Sequence, residues 1–356
     1  MLDLLKALPC QSPKLRIRIA GTNGKGSTAF MLAAALQAAG LNVGLYTSPH
    51  ILNFNERIRI QGMPISDAQL LAVLEEIMPI ALDVDASYFE VATALALCAF
   101  SRAYVDVEIL EAGVGARFDA TTAVAADMAL ITPIGLDHEA WLGNTLASVA
   151  EEKAFALHGC QWGLSSPQPM DVMDILNRHH DQLMQVTPNM GMPHVAIGEH
   201  QAINASLALK AAQTLADAGL IKASAETLQH AICSTTIPGR LQYIKYHQAD
   251  IWLDAAHNHH AIEALLPTLP SLAEPLDAIL IFTRADRSLL NSLTALRPYA
   301  KTLVGDVDGH FDVAYPSPEA ALQEILCQYP AGKILLLGSF LTVSAALKWL
   351  QQQALR

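Results

Sequence analysis

The sequence is short of positive charge, short of charge of either sign, and carries no organised cysteine pattern. Its 356 residues include 22 Lys and Arg against 34 Asp and Glu, a net charge of -12. That balance excludes the broad basic surface of a nucleic-acid binder but leaves room for a local basic pocket. Charged residues make up only 16% of the chain and hydrophobic ones 52%, yet no apolar run approaches the roughly 20 residues that span a bilayer. Met1 to Cys10 has neither a basic start nor a long apolar stretch, so no signal peptide is expected and the chain reads as cytoplasmic, with no membrane partner. Cys10, Cys98, Cys160, Cys233 and Cys327 stand far apart with no CxxC pair. Reduced structural thiols are expected, with neither a disulfide framework nor zinc ligands.

What is present is a repeated alternation of short apolar runs with helix-like segments. The length exceeds the roughly 250 to 300 residues at which one core stops growing, so two domains are expected. In the first half, strand-like Leu15 to Ala20, Asn42 to Thr47, Asp106 to Ala112 and Met128 to Ile134 alternate with helix-like Ser27 to Ala39, Asp67 to Leu82 and Tyr88 to Ala103. This order predicts a mostly parallel sheet covered on both faces. Residues 159–198 are turn-rich and irregular, and a helix follows over Ala202 to Ala218. Thr235 to Gly239 is suited to a domain junction, after which strands are expected at Ile251 to Ala255, Ala278 to Thr283, Lys301 to Val304 and Lys333 to Leu337. Helices are expected at Ala261 to Leu269, Ser288 to Arg297, Pro318 to Cys327 and Thr342 to Gln352. The fold class is therefore α/β: a P-loop-type, mostly parallel domain over 1–236 and a smaller Rossmann-like domain over 237–356.

The stretch Gly21-Thr22-Asn23-Gly24-Lys25-Gly26-Ser27-Thr28 follows the first strand and opens the first long helix. Glycines let consecutive backbone N–H groups curl around a polyphosphate, and the next helix adds the positive end of its dipole. Lys25 can reach the outer phosphates, and Ser27 or Thr28 can place a hydroxyl on magnesium. The spelling departs from the ordinary P-loop, because Gly26 separates Lys25 from the hydroxyl residue. Glu111 and His138 fall at or just after predicted strand ends, where ligands of open parallel sheets bind.

Further islands stand in fixed order along the chain. They are Thr47-Ser48-Pro49-His50 with Glu56-Arg57; Glu111 through Arg117 to Asp119; Asp137-His138; Glu152-Lys153; His200-Gln201 with Asn204; Pro238-Gly239-Arg240; and Asp254-Ala255-Ala256-His257-Asn258. In this order the chain resembles the folylpolyglutamate synthase and dihydrofolate synthase family, within the Mur-type amide ligases. The family's phosphate loop carries the same extra glycine.

The resemblance implies ATP with two magnesium ions, one held by Ser27 and Glu111 and a second by His138. It implies that Lys153 is carbamylated and helps organise the second metal, that Arg240 reaches the nucleotide phosphates, and that Asp254 and His257 contact the nucleotide. Asn204 lies near the adenine by the same resemblance. Ser48, Pro49, His50 and Arg57 belong to a mobile loop at the acid substrate, and Asp119 to the segment near its pterin. Lys25, His138, Lys153 and Arg240 are the expected catalytic set.

The implied reaction activates the carboxylate of dihydropteroate or a folate as an acyl phosphate, which the amine of L-glutamate then attacks. A monomer is expected. Four departures bear on the substrate: the chain is shortened before the phosphate loop and between Lys153 and His200, and Phe155 and Thr283-Arg284-Ala285-Asp286 replace the family's usual glycine and Asp-Lys-Asp turn. They leave open the same chemistry on a non-folate acid, or an ATP-binding regulatory or scaffold protein without ligase activity.

Overall fold

The computed structural model describes residues 1–190, 192, 198–283, 290–306 and 310–354. It divides into two compact units, Met1–His194 with Gln201–Thr235, and Val195–His200 with Thr236–Arg356. Both are α/β.

The first unit is built on eight strands: β1 (Leu15–Ala20), β2 (Val43–Tyr46), β3 (Ile58–Ile60), β4 (Met63–Pro64), β5 (Val107–Glu111), β6 (Met128–Ile131), β7 (Trp162–Ser165) and β8 (Met184–Gln185). Their order is β4-β3-β2-β5-β1-β6-β7-β8. All neighbours are parallel except β2 with β3 and β3 with β4. The central strands β5, β1 and β6 are buried along their whole length, as expected where helices cover both faces.

The helices Asp67–Asp83 and Tyr88–Arg102 start at Ser66 and Ser87, each closing a capping box with Gln69 or Glu90. Their inner faces pack as one cluster around Ile77, Leu95, Phe100 and Tyr46. A second cluster joins β6 and the end of β1 to the helices Leu146–Ala154 and Met170–His179. Residues 159–198, read as irregular, contribute β7 and β8, so the first sheet extends two strands beyond β6.

The second unit carries β9 (Gln242–Tyr246), β10 (Ala249–Asp254), β11 (Leu276–Ile281), β12 (Ala300–Gly305), β13 (Val313–Ala314) and β14 (Lys333–Leu337), in the order β13-β12-β11-β14-β10-β9. Only β9 runs antiparallel, against β10. The helix expected over Ala261 to Leu269 is broken at Pro267, giving His259–Leu265, a 3₁₀ turn and Leu269–Leu272. Within the expected turn Thr283 to Asp286, residues 284–286 lie outside the described residues, as does the start of the helix expected at Ser288.

The cysteine expectation is corrected in one place. Cys10 and Cys98, 88 residues apart, are joined as a disulfide with Cα atoms 5.2 Å apart. Their spacing carries no signal, because the N-terminal helix Leu2–Ala7 brings Cys10 onto the helix Tyr88–Arg102 only through the buried cluster of Leu4 and Leu8. Among the described residues no helix is long and apolar enough to cross a membrane.

Candidate active site

Three adjacent strands of the first unit end in residues of the predicted site. β1 runs into Gly21, β5 ends at Glu111, and β6 passes into Thr132. The expected strand Met128 to Ile134 stops at Ile131, because Pro133 has no N–H for the ladder. Instead the Pro133 carbonyl accepts from the amides of Thr22 at 3.0 Å and Asn23 at 3.3 Å. Thr22 Oγ1 donates to the Gly135 carbonyl at 2.8 Å and accepts from its amide at 3.0 Å. Gln168 holds this shelf from behind, accepting from Ile134 N at 3.0 Å and donating to Thr132 O at 3.0 Å. The phosphate loop is therefore shaped by its neighbours.

Glycine is required at two of its positions. A β-carbon on Gly21, at φ +144°, would lie 1.9 Å from Thr132 Oγ1 and 2.8 Å from the Thr132 carbonyl oxygen. One on Gly24, at φ +89°, would lie 2.2 Å from Asn204 Oδ1, which places Asn204 against the loop. The expected cost of Gly21→Ala is about 3 kcal/mol or more, since the clash is with backbone and the conformation is unfavourable for any L side chain. Urea denaturation measures it, and a loss below about 0.5 kcal/mol would show that this close approach does not constrain the loop.

Gly24 is the N-cap of the helix Lys25–Ala38 and offers no side chain to its first amides. Those donors suit an anion, and the first turn holds no acidic residue. Lys25 Nζ lies 3.2 Å from the carbonyl oxygens of both Gly21 and Thr22. The hydroxyls of Ser27 and Thr28 are buried without a hydrogen-bond partner. The Glu111 carboxylate faces the helix start, with its oxygens 3.6 and 3.7 Å from where a β-carbon of Gly26 would be. A buried hydroxyl without a partner and a buried carboxylate, both oxygen donors, fit a magnesium ion.

Glu111 also accepts from the Ser48 amide at 3.0 Å, which ties the Thr47–His50 segment to the site. The turn that follows it is ordered by Glu56, whose carboxylate accepts from the amides of Ile51, Leu52 and Asn53. Arg57 donates to His50 Nδ1 at 2.9 Å and lies against the rings of Phe54 and Tyr88, 5.7 and 5.9 Å from their centroids. The Ser48–Pro49 peptide is cis.

Lys153 is buried beneath the loop, and its ammonium donates to the Gly21 carbonyl at 2.7 Å. Burial, and secondarily the neighbouring Lys25, push its pKa down to about 7. The same helix end is tied down around it. Glu151 pairs with Arg178 and His179, Glu152 with Arg117, and Arg117 stacks over the Phe155 ring at 4.0 Å.

His138 is half-exposed, at φ +53°, with its backbone amide on Asp137 Oδ1 at 2.9 Å. Among the described residues no group of three or more His, Cys, Asp or Glu is arranged to hold a metal.

Asp119 spends both oxygens on its own loop. Oδ2 accepts from Gly113 and Val114 amides, and Oδ1 from the Thr121 amide and hydroxyl. In the second unit, Asp254 likewise accepts from the amides of Leu241 at 2.8 Å and Ala256 at 2.7 Å. It fixes the turn that carries Arg240, whose guanidinium stacks on Phe340 at 4.9 Å. His257 Nδ1 is 2.8 Å from the Ala255 carbonyl, and Asn258 caps the helix His259–Leu265.

Phe54, Tyr88 and Gln168 escape a reading of the sequence. The Thr132–Gly135 segment stands out there as part of the strand-end stretch Ile131 to His138, but not its role as a shelf for the loop.

A glycine-rich loop at the end of a central parallel strand, an open helix N-terminus, a lysine among its carbonyls and a carboxylate one strand away define a P-loop nucleotide-binding protein. No family model matches the sequence. The chain is 32% identical over 371 residues to a Bacillus subtilis dihydrofolate synthase/folylpolyglutamate synthase, covering 94% of this chain and 84% of that protein. An Escherichia coli protein of the same description is 34% identical over 71% of this chain and 63% of its own length. The solved structure of E. coli FolC in complex with DHPP and ADP superposes with a TM-score of 0.84 at 27% identity, covering 99% of this chain and 91% of the other. The chain belongs to the dihydrofolate synthase/folylpolyglutamate synthase family.

Proposed function

We propose that the protein is an ATP-dependent amide ligase that joins L-glutamate to dihydropteroate, to tetrahydrofolate, or to both. The carrying observation is the phosphate loop with Glu111 and buried Lys153 gathered on it, in a chain of this family. A carboxylate and an amine at neutral pH only form a salt, so the acid must first take the terminal phosphoryl group of ATP. Lys25 and Arg240 serve to bind the phosphates and offset charge on the group in transfer. The glutamate amine then attacks the acyl phosphate, expelling phosphate and leaving an amide.

Ser27 and Glu111 are the oxygen donors for magnesium, which when bound neutralises phosphate charge. His138 is assigned to a second ion. The Lys153 amine, with its pKa near 7, is available in neutral form to add carbon dioxide, giving a carbamate and releasing a proton. We assign Asn204, Asp254 and His257 to the nucleotide, directly or through the loops they hold, and Ser48, Pro49, His50, Arg57 and Asp119 to the acid. We assign the protein to the cytoplasm, acting as a monomer.

The test is ADP and phosphate release measured across a panel of pteroates and folates with and without L-glutamate. Turnover that requires both substrates is expected, with product mass identifying the amide. Turnover only with another carboxylic acid would move the reading to a non-folate ligase, and tight ATP binding with none would make it a nucleotide-binding protein of another kind.

A further inference from the structure

We infer that Arg18 is a positioning residue for Lys153, holding the end of the lysine's helix against the strand that opens the phosphate loop. β1 alternates in the usual way, with Leu15, Ile17 and Ile19 on one face and Arg16 and Arg18 on the other. Both arginines are buried in the middle of the sheet. Arg16 is paired there with Glu108, 2.6 Å away and also buried. Arg18, only 2% exposed, has no salt bridge among the described residues, and its Nε has no partner.

Burying an arginine without a carboxylate is costly, and a strand in this place needs only an apolar residue. The Arg18 guanidinium is used on two carbonyls. Nη1 donates to Ala156 O at 2.9 Å and Nη2 to Val124 O at 2.6 Å. Ala156 lies in the 3₁₀ turn that ends the helix Leu146–Ala154, three residues after Lys153. Carbonyls at a helix end are good partners for a cation. Val124 closes the segment that Asp119 organises.

These contacts form a closed circuit. Arg18 binds the helix end at Ala156, and Lys153 binds the same strand's extension at Gly21. The two strand residues are three apart, about 10 Å at the rise of a β-strand. The lysine amine is thus fixed relative to the phosphate loop at two points, and cannot slide along β1 without breaking one of them. Arg117, stacked on Phe155 and paired with Glu152, secures the outer side of the same turn.

The consequence for turnover depends on the ligase activity proposed above; the consequence for Lys153 itself does not. Two variants, Arg18→Met and Arg18→Lys, are compared with the unaltered chain in steady-state kinetics and in cyanate labelling. Isocyanic acid adds to a neutral lysine amine to give a urea, read as a mass increase on the Lys153 peptide and normalised to exposed Lys222. Arg18→Met should lower kcat about ten-fold or more while KM for ATP stays within about three-fold. Its Lys153 labelling at pH 8, relative to Lys222, should rise about three-fold or more as the amine, no longer held against the loop at two points, gains freedom to reach solvent. Arg18→Lys, which keeps a cation able to hold one carbonyl, should recover part of both.

An Arg18→Met protein with unchanged labelling at Lys153 overturns the inference, whatever its kcat. If that variant does not fold, Arg18→Lys decides on the same two readouts, and failure of both to fold makes Arg18 a determinant of the fold alone. Loss of the ligase reading would show separately, as absent ADP release from the unaltered chain with its labelling profile intact.

Discussion

Lys25→Ala should reduce acid-dependent ADP release on the order of a thousand-fold while leaving the fold in place. The two halves of that expectation have different origins. Lys25 Nζ rests 3.2 Å from the carbonyls of Gly21 and Thr22, long contacts that are readily exchanged for a polyphosphate. Losing them costs the loop little, because its shape is fixed independently by the Thr22 and Asn23 amides on Pro133 and by Thr22 Oγ1 on Gly135. The melting temperature should therefore move by no more than about 4 °C. Phosphoryl transfer, by contrast, offers the protein little beyond position and charge, and Lys25 is the only lysine on the loop. A second effect follows from Lys25 lowering the pKa of Lys153. Without it, the lysine beneath the loop should titrate higher and be less often neutral at pH 7. Turnover within about ten-fold of the unaltered chain would falsify the assignment of Lys25 to the phosphates.

The parts of the fold that were legible are those whose signal is local. Continuous apolar runs bounded by turns disclosed the central strands, and the glycines around Lys25 disclosed the loop, because a phosphate loop is one contiguous stretch of backbone. The edge strands β3, β4 and β8 were not legible, since two or three partly exposed residues pair only because a neighbour is already there. The family resemblance supplied Glu111, Lys153 and Asn204, and the structure brings all three to the loop: Glu111 opposite Gly26, Lys153 on Gly21, Asn204 against Gly24. It could not disclose what those residues do with their hydrogen bonds. Asp119 and Asp254 read as ligand-facing carboxylates, yet every oxygen of both accepts from the protein's own donors. Arg18 was hidden for the opposite reason, because an arginine inside a strand pattern reads as an interruption until Ala156 and Val124, more than a hundred residues away, are seen to need it.

Lys153→Met should make the protein more stable at pH 6 and almost inactive as a ligase. The lysine titrates near 7 in the folded chain against 10.5 for an ordinary lysine. A lowered lysine pKa means that the unfolded chain binds the proton more tightly, so the group opposes folding when protonated. The opposition is complete below pH 7, shrinks as pH rises from 7 to 10.5, and is absent above it. The shift corresponds to a cost on the order of 5 kcal/mol in acid, most of it the loss of water around a charge at a buried site. Methionine removes that cost and fills similar space, but leaves the Gly21 carbonyl without its 2.7 Å donor, a loss of about 1 to 3 kcal/mol. The net gain at pH 6 is about 2 to 4 kcal/mol, and it should vanish or reverse near pH 10, where the lysine is neutral in the folded chain and its remaining protonation in the unfolded chain leaves a cost below about 1 kcal/mol. Lys153→Arg supplies the opposite control, because a guanidinium cannot shed its proton and should destabilise the fold at both pH values. Urea denaturation of the three proteins at pH 6 and pH 10, beside ADP release at pH 8, resolves the pattern. A methionine variant whose stability relative to the unaltered chain is the same at both pH values would mean that Lys153 is not held neutral by its burial, and the case for it as a reactive amine beneath the phosphate loop would go with it.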